Sequence, residues 1–311
     1  MFWTANEPFV TSALIILLGY VLKKTGVLNE TAGESLSNVA LNVTLPAVIL
    51  TNVPGFPLRD GANAVLPAFS LIGTALMVSA GYLLLRRRDR ADLGLVLTSL
   101  SGYNLGLFAV PLVVGLYGME GVTRFLLIDL GNAIGVFVIS YLFAAIYSPT
   151  RGATRIGPAT IARMLMGSVP FVCYMAAIVM NIAGWRIGGY VGRVLAIPAG
   201  MNRGVSLLAI GVLLKFRIPE GARSSVVPSL AIRYLVGAAA AAAALLALPL
   251  PLEYRVSVAG VLVMPVGLAV IPFSVKWGYD REKAAAILNL GIPISFVLFW
   301  AVWAAGRILD G

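Results

Sequence analysis

Hydrophobic residues run through this chain in long blocks, not in the short alternations of a soluble fold. Ten apolar segments stand near residues 8–24, 35–53, 62–85, 92–117, 122–147, 162–183, 189–214, 226–249, 256–276 and 284–306. A helix that crosses a bilayer core needs about 20 such residues. The links between segments are short and rich in glycine, proline and charge, as in Pro54-Gly55-Phe56-Pro57 and Arg86-Arg87-Arg88-Asp89-Arg90. The pattern predicts an all-α polytopic membrane protein with about ten transmembrane helices, a single membrane domain over residues 1–311.

Segment 4 departs from the pattern. Ser101, Gly102, Tyr103, Asn104, Gly106 and Pro111 interrupt it near its middle. These residues weaken a helix and leave backbone groups exposed. Exposed backbone at membrane depth is tolerated only inside protein or along a water-filled cavity, and broken membrane helices are where transporters bind solutes.

The interruption has a counterpart in the second half. Segment 9 carries Met264, Pro265, Gly267, Pro272 and Ser274, and Pro265 and Pro272 keep the spacing of Asn104 and Pro111. Leu45-Pro46-Ala47 in segment 2 matches Ile197-Pro198-Ala199 in segment 7, and Ile128-Asp129-Leu130-Gly131 in segment 5 matches Leu288-Asn289-Leu290-Gly291 in segment 10. The shared order predicts two five-helix repeats, 8–148 and 161–306. An odd number of spans per repeat inverts the second relative to the first, a common plan in secondary transporters. Helices 4 and 9 are then a pair of broken helices expected to meet near the midplane. Their helix N-termini would suit an anion and their freed carbonyls a cation.

Composition narrows the chemistry. The chain is 59% hydrophobic and 12% charged, against about 25% charged in soluble domains, and its mean hydropathy is +0.93. The single cysteine, Cys173, excludes an internal disulfide, and the absence of histidine removes the commonest metal ligand and proton shuttle. No metal, cofactor or catalytic nucleophile–base pair is expected, so an enzyme is disfavoured. The net charge of +10 reads as loop charge, with no nucleic-acid partner. Lys23, Lys24, Arg86, Arg87, Arg88, Arg90, Arg151, Arg155, Arg163, Lys215, Arg217, Arg223, Lys276, Arg281 and Lys283 follow odd-numbered segments. Fewer lie on the other side: Arg59, Arg124, Arg186, Arg193, Arg255 and Arg307. The positive-inside rule then puts both termini outside. Residues 1–7 hold Glu7 and no basic residue, so they read as the start of a first span and not as a secretory signal.

Three charged residues, Asp129, Arg203 and Arg233, fall well inside segments, away from their ends. Asp129 is the acidic one, and an intramembrane carboxyl is a functional candidate by default. It could carry a coupled proton, help bind a cation, pair with Arg203 or Arg233, or lie near the outer surface. Arg203, beside Asn202, could clamp a carboxylate, or pair with Asp129 or with carbonyls. Arg233 is near enough to the cytoplasmic end of segment 8 to snorkel. Asn132, Asn181 and Asn289 read as interhelical hydrogen bonders, with Asn289 also the repeat partner of Asp129.

Four stretches resemble the auxin efflux carrier family: Leu41-Asn42-Val43-Thr44-Leu45-Pro46, Gly102-Tyr103-Asn104-Leu105-Gly106 through Val110-Pro111-Leu112, Met264-Pro265 through Ile271-Pro272-Phe273 with Lys276 and Tyr279, and the ten-span layout. The resemblance implies a fold similar to the bile-acid sodium symporters. Spans 1, 2, 6 and 7 would form a scaffold and dimer surface. Spans 3–5 and 8–10 would form a moving, elevator-like transport domain, with helices 4 and 9 crossing near Pro111 and Pro272. It also implies organic-acid substrates, auxin in plants and dicarboxylates in bacteria. The link 148–161 is short, unlike the long central loop of the plant members, and the Asn-Pro-Asn-x-Tyr form of the span-4 break is missing.

Together these readings predict a secondary active transporter of small organic anions by alternating access, in a bacterial inner membrane, as a homodimer in lipid. The expected substrate contacts are Gly102, Tyr103, Asn104, Pro111, Met264, Pro265, Pro272, Ser274 and Arg203. Asp129 and Asn289 are the expected coupling positions, for a proton or a sodium ion. A receptor-like binding module and a channel are the competing classes.

Overall fold

A computed structural model describes residues 2–58, 60–150 and 157–310. Arg59, Arg151 and Arg155, named above for their charge, lie outside the described residues. The described residues are 81% helix and include no strand. In order the helices are α1 (Phe2–Lys24), α2 (Glu30–Val39), α3 (Leu45–Asn52), α4 (Gly61–Ala64), α5 (Leu66–Leu85), α6 (Arg90–Leu100), α7 (Val110–Ile134), α8 (Ser140–Ile146), α9 (Pro158–Met166), α10 (Val169–Ile182), α11 (Gly189–Leu213), α12 (Arg223–Ala247), α13 (Leu252–Leu262), α14 (Val270–Lys276) and α15 (Arg281–Leu309).

Six helical stretches among the described residues are long and apolar enough to cross a membrane, or seven if α9 and α10 count as one span. The protein is therefore a polytopic, all-helical membrane protein. The count is below the ten predicted segments; α1 is not among the six, and part of the rest of the shortfall has a physical reason. Segments 4 and 9 are broken into pieces too short to span alone, and the second part of segment 4 runs on into segment 5 as one stretch, Leu105–Ile146. Within that stretch Gly118 (φ 59°, ψ −160°) separates two helical pieces. Predicted segment 6 is also divided: α9 buries no residue, and Ser168 Oγ caps the start of α10 by accepting from the Phe171 N–H at 3.4 Å.

The chain folds into two compact units. The first comprises Met1–Ala64, Leu105–Leu127 and Met166–Leu214. In it α1 and α11 approach closely through glycines. A Cβ on Gly211 would overlap the Ile16 carbonyl oxygen, and one on Gly19 the Leu208 carbonyl oxygen. Lipid offers no hydrophobic drive between helices, so such close van der Waals contact carries the packing. Pro46 cannot donate to the ladder, and the turn before it widens to a π-helix over Ala40–Thr44. Thr44 Oγ1 donates to the Ala40 carbonyl at 3.0 Å and accepts from Asn202 Nδ2 at 2.9 Å. Asn181 Nδ2 lies 2.7–3.1 Å from the carbonyls of Val53, Pro54 and Phe56, an interhelical role of the kind expected for it.

The second unit comprises Val65–Asn104, Ile128–Leu165 and Lys215–Gly311. Hydroxyls stitch its helices through backbone carbonyls. Ser70 Oγ donates to Ile128 at 2.9 Å, Ser140 Oγ to Thr98 at 3.0 Å, and the Tyr234 hydroxyl to Gly291 at 2.6 Å. One end is clasped by polar links. Arg88 Nη1 donates to the Ser224 carbonyl at 3.2 Å, Arg90 donates to the Ile146 carbonyl, and Lys283 lies 3.6 Å from Asp92. Between α14 and α15 the Tyr279 hydroxyl donates to Ala144 at 3.0 Å. Burial raises that phenol above its ordinary pKa, against the opposing pull of Arg90.

Candidate functional site: the paired helix breaks

Segment 4 breaks where the residues predict. Helix α6 ends at Leu100, Ser101 leaves helical geometry (φ −86°, ψ 87°), and Gly102 takes φ +106°. An L side chain rarely adopts that φ, and a Cβ there would lie 2.6 Å from Val136 Cγ2 and 3.0 Å from the Val136 nitrogen. Segment 9 breaks between α13, which ends at Leu262, and α14, which begins at Val270. The prolines expected to mark the crossing lie just beyond each break. Pro272 sits in the first turn of α14, where N–H groups have no intrahelical acceptor and proline costs little. Pro111 follows a π-helix over Leu105–Ala109, whose wider turn absorbs the missing donor.

In the second unit the two breaks pair with each other. Tyr103 and Val266 form an antiparallel bridge, and the Asn104 N–H donates to the Pro265 carbonyl at 2.8 Å. Asn132 of α7 completes Tyr103. Its Oδ1 accepts from the Tyr103 N–H, and its Nδ2 donates to the Tyr103 carbonyl, each at 2.8 Å. The same Nδ2 lies 2.8 Å from Asp129 Oδ1, so the predicted coupling carboxylate is joined to the break through one amide.

Arg233 of α12 serves the remaining carbonyls. Its Nε donates to Met264 at 2.9 Å, its Nη1 to Ser99 at 3.2 Å, and its Nη2 to Gly102 at 2.5 Å and Pro265 at 3.2 Å. Arg233 has no solvent exposure, so it does not snorkel. The freed carbonyls of both breaks need donors, and a guanidinium offers five in a planar fork. Chain position alone did not point to this role. The signal available was that two broken helices require donors and few buried cations exist to supply them.

The predicted residues thus divide. Gly102, Tyr103, Asn104, Met264 and Pro265 come together at the paired breaks. Asn104 is 4% exposed and its Nδ2 has no partner among the described residues. The Tyr103 hydroxyl and Ser274 Oγ are likewise buried with no hydrogen-bond partner among the described residues. Asn289 is buried and donates to the Ala285 carbonyl of its own helix at 2.9 Å, in place of the expected interhelical bond. Pro111 and Arg203 belong to the first unit. Arg203 Nη2 donates to the Pro8 carbonyl at 3.2 Å and to Ser12 Oγ at 3.3 Å. Its guanidinium packs where a Cβ on Gly115 would come within 2.8 Å.

A helical membrane protein with two broken helices paired around buried, unpartnered donors belongs to the class of membrane transporters. The comparisons agree. The profile of the membrane transport protein family matches residues 4–161, just over half of the chain, and the chain belongs to that family, in keeping with its resemblance to the auxin efflux carriers. An uncharacterized transporter of Methanothermobacter thermautotrophicus is 23% identical over 308 residues, covering 97% of this chain and 99% of that protein. An uncharacterized transporter of Methanocaldococcus jannaschii is 28% identical over 134 residues, 40% of this chain and 42% of that protein. The chain is a transport protein, not an enzyme.

Proposed function

We propose that the protein is a secondary active transporter of small organic anions, working by alternating access. The substrates would be carboxylates, such as dicarboxylates or auxin-like acids. The observation that carries this reading is the chemistry of the paired breaks. Arg233 brings a buried positive charge whose described partners are carbonyls. Asn104, whose N–H shares the Pro265 carbonyl with Arg233, has in its Nδ2 donors that no described residue uses. A carboxylate satisfies both demands, because it accepts hydrogen bonds and brings the compensating charge. Asn104, Tyr103, Ser274 and the backbone around 102–104 and 264–265 are the proposed contacts. Arg203 is left out, because it belongs to the first unit, where its Nη2 donates to Pro8 and Ser12. Asp129 is the proposed coupling residue for a proton.

The wider plan goes with the same reading. Ten spans would form two inverted five-helix repeats, 8–148 and 161–306, crossing a cytoplasmic membrane with both termini outside. The matched motifs of segments 4 and 9 support it, as does the surplus of basic residues in alternate links. A homodimer with an elevator-like moving domain completes the proposal. The test is a thermal-shift panel of mono- and dicarboxylates on the purified protein, followed by uptake in proteoliposomes for any ligand that stabilises. Binding raises apparent stability by mass action. A panel in which no carboxylate shifts the melting midpoint would overturn the anion reading.

A further inference from the structure

A buried guanidinium is costly unless its charge and its donors are met. The donors of Arg233 are met by backbone carbonyls, those of Ser99, Gly102, Met264 and Pro265. They lie at the C-terminal ends of α6 and α13 or in the breaks just beyond. A helix C-terminus carries about half a negative charge, so two such ends meet at one side chain. The Tyr103 ring covers the guanidinium, with Cζ 5.0 Å from the ring centroid. A set of convergent carbonyl oxygens around one positive charge is also the shell in which proteins hold a dehydrated alkali ion.

We infer that Arg233 is the resident cation of the paired breaks, supplying from the chain itself the charge that an inorganic cation would otherwise supply to these carbonyls. It is a positioning residue. It holds the two breaks in the register that joins Asn104 to Pro265, and it fixes a positive charge there in every state of the protein. The breaks therefore need no sodium or potassium ion to form. Arginine suits the task better than lysine, because a planar fork reaches carbonyls from both breaks while an ammonium donates from a single point. The inference deepens the anion reading by removing sodium from the break, and leaves coupling to Asp129.

The test compares melting midpoints of the purified protein, without carboxylates, in sodium, potassium and N-methylglucamine chloride at equal ionic strength. Arg233→Ala and Arg233→Lys are measured alongside, and low concentrations of guanidinium chloride are titrated into each. The wild type is expected to melt alike in all three salts. Arg233→Ala is expected to melt lower and to recover saturably, by a few degrees, with guanidinium or an alkali ion. Arg233→Lys is expected to lose less and to show no such recovery. A saturable sodium or potassium effect on the wild type overturns the inference, and so does a folded Arg233→Ala indifferent to every cation. Should Arg233→Ala not fold, the wild-type salt comparison decides alone. No carboxylate enters these measurements, so a silent carboxylate panel would refute the substrate reading and leave this one standing.

Discussion

Replacing Asn132 by leucine keeps nearly the same volume and removes three hydrogen bonds, each of 2.8 Å. Asn132 is 3% exposed, so water cannot take over. The Tyr103 N–H and carbonyl lose this partner together, at the point where the chain has no helical ladder. A buried group left unsatisfied costs about 1–3 kcal/mol, or roughly 2–6 kcal/mol for the two backbone groups. Measured hydrogen bonds in membrane bundles are weaker, about 0.6 kcal/mol on average and up to about 1.7, which gives roughly 2–5 kcal/mol for three. Asn132→Leu should therefore destabilise the protein by about 2–5 kcal/mol, a large share of a typical total near 5–15 kcal/mol. The assay is reversible unfolding in mixed micelles, followed by far-ultraviolet circular dichroism. Asn42→Leu is the control: Asn42 is exposed and its side chain donates to the Asn38 carbonyl, four residues back, at 3.1 Å. It should stay within about 0.5 kcal/mol of wild type. If Asn132→Leu falls in the same narrow band, the amide is not what holds the break.

Three further outcomes are expected. Asp129→Asn keeps an oxygen for Asn132 Nδ2 to meet, so the fold should survive while the pH dependence of uptake is lost; unchanged pH dependence in proteoliposomes would remove Asp129 from coupling. Gly102→Ala places a Cβ at φ +106° against Val136 and should cost about 2–5 kcal/mol in the same unfolding assay, where near-neutrality would show that the break relaxes freely. Arg203→Lys loses the Nη2 that reaches Pro8 and Ser12, so it should lower stability by about 1 kcal/mol and leave carboxylate affinity unchanged; a marked loss of affinity in the thermal-shift panel would return Arg203 to the binding site.

Much of the site was legible before the fold. Ser101, Gly102 and Asn104 weaken a helix by their own chemistry, and α6 ends at Leu100 just before them. Pro265 and Gly267 likewise fall between α13 and α14. The prolines misled by a few residues, because Pro111 and Pro272 look like the sites of breakage and stand instead in the first turns of α7 and α14. Along the chain Arg233 looks like an end-of-helix charge and Asn132 like an ordinary hydrogen bonder. Nothing in their neighbours along the chain marks them otherwise.

The sequence by itself determined that this is a helical membrane protein, about where its apolar segments run, and that two of them are interrupted at matching positions. Hydropathy, proline and glycine act on the backbone within a turn or two, so a linear reading suffices. Only the tertiary structure decided what meets the interrupted backbone. The Tyr103 peptide finds its amide 29 residues away, and the Ser99 and Gly102 carbonyls find their guanidinium 134 and 131 residues away. A buried polar group must be satisfied, but which partner satisfies it depends on helix rotation and packing, which the order of residues alone does not display.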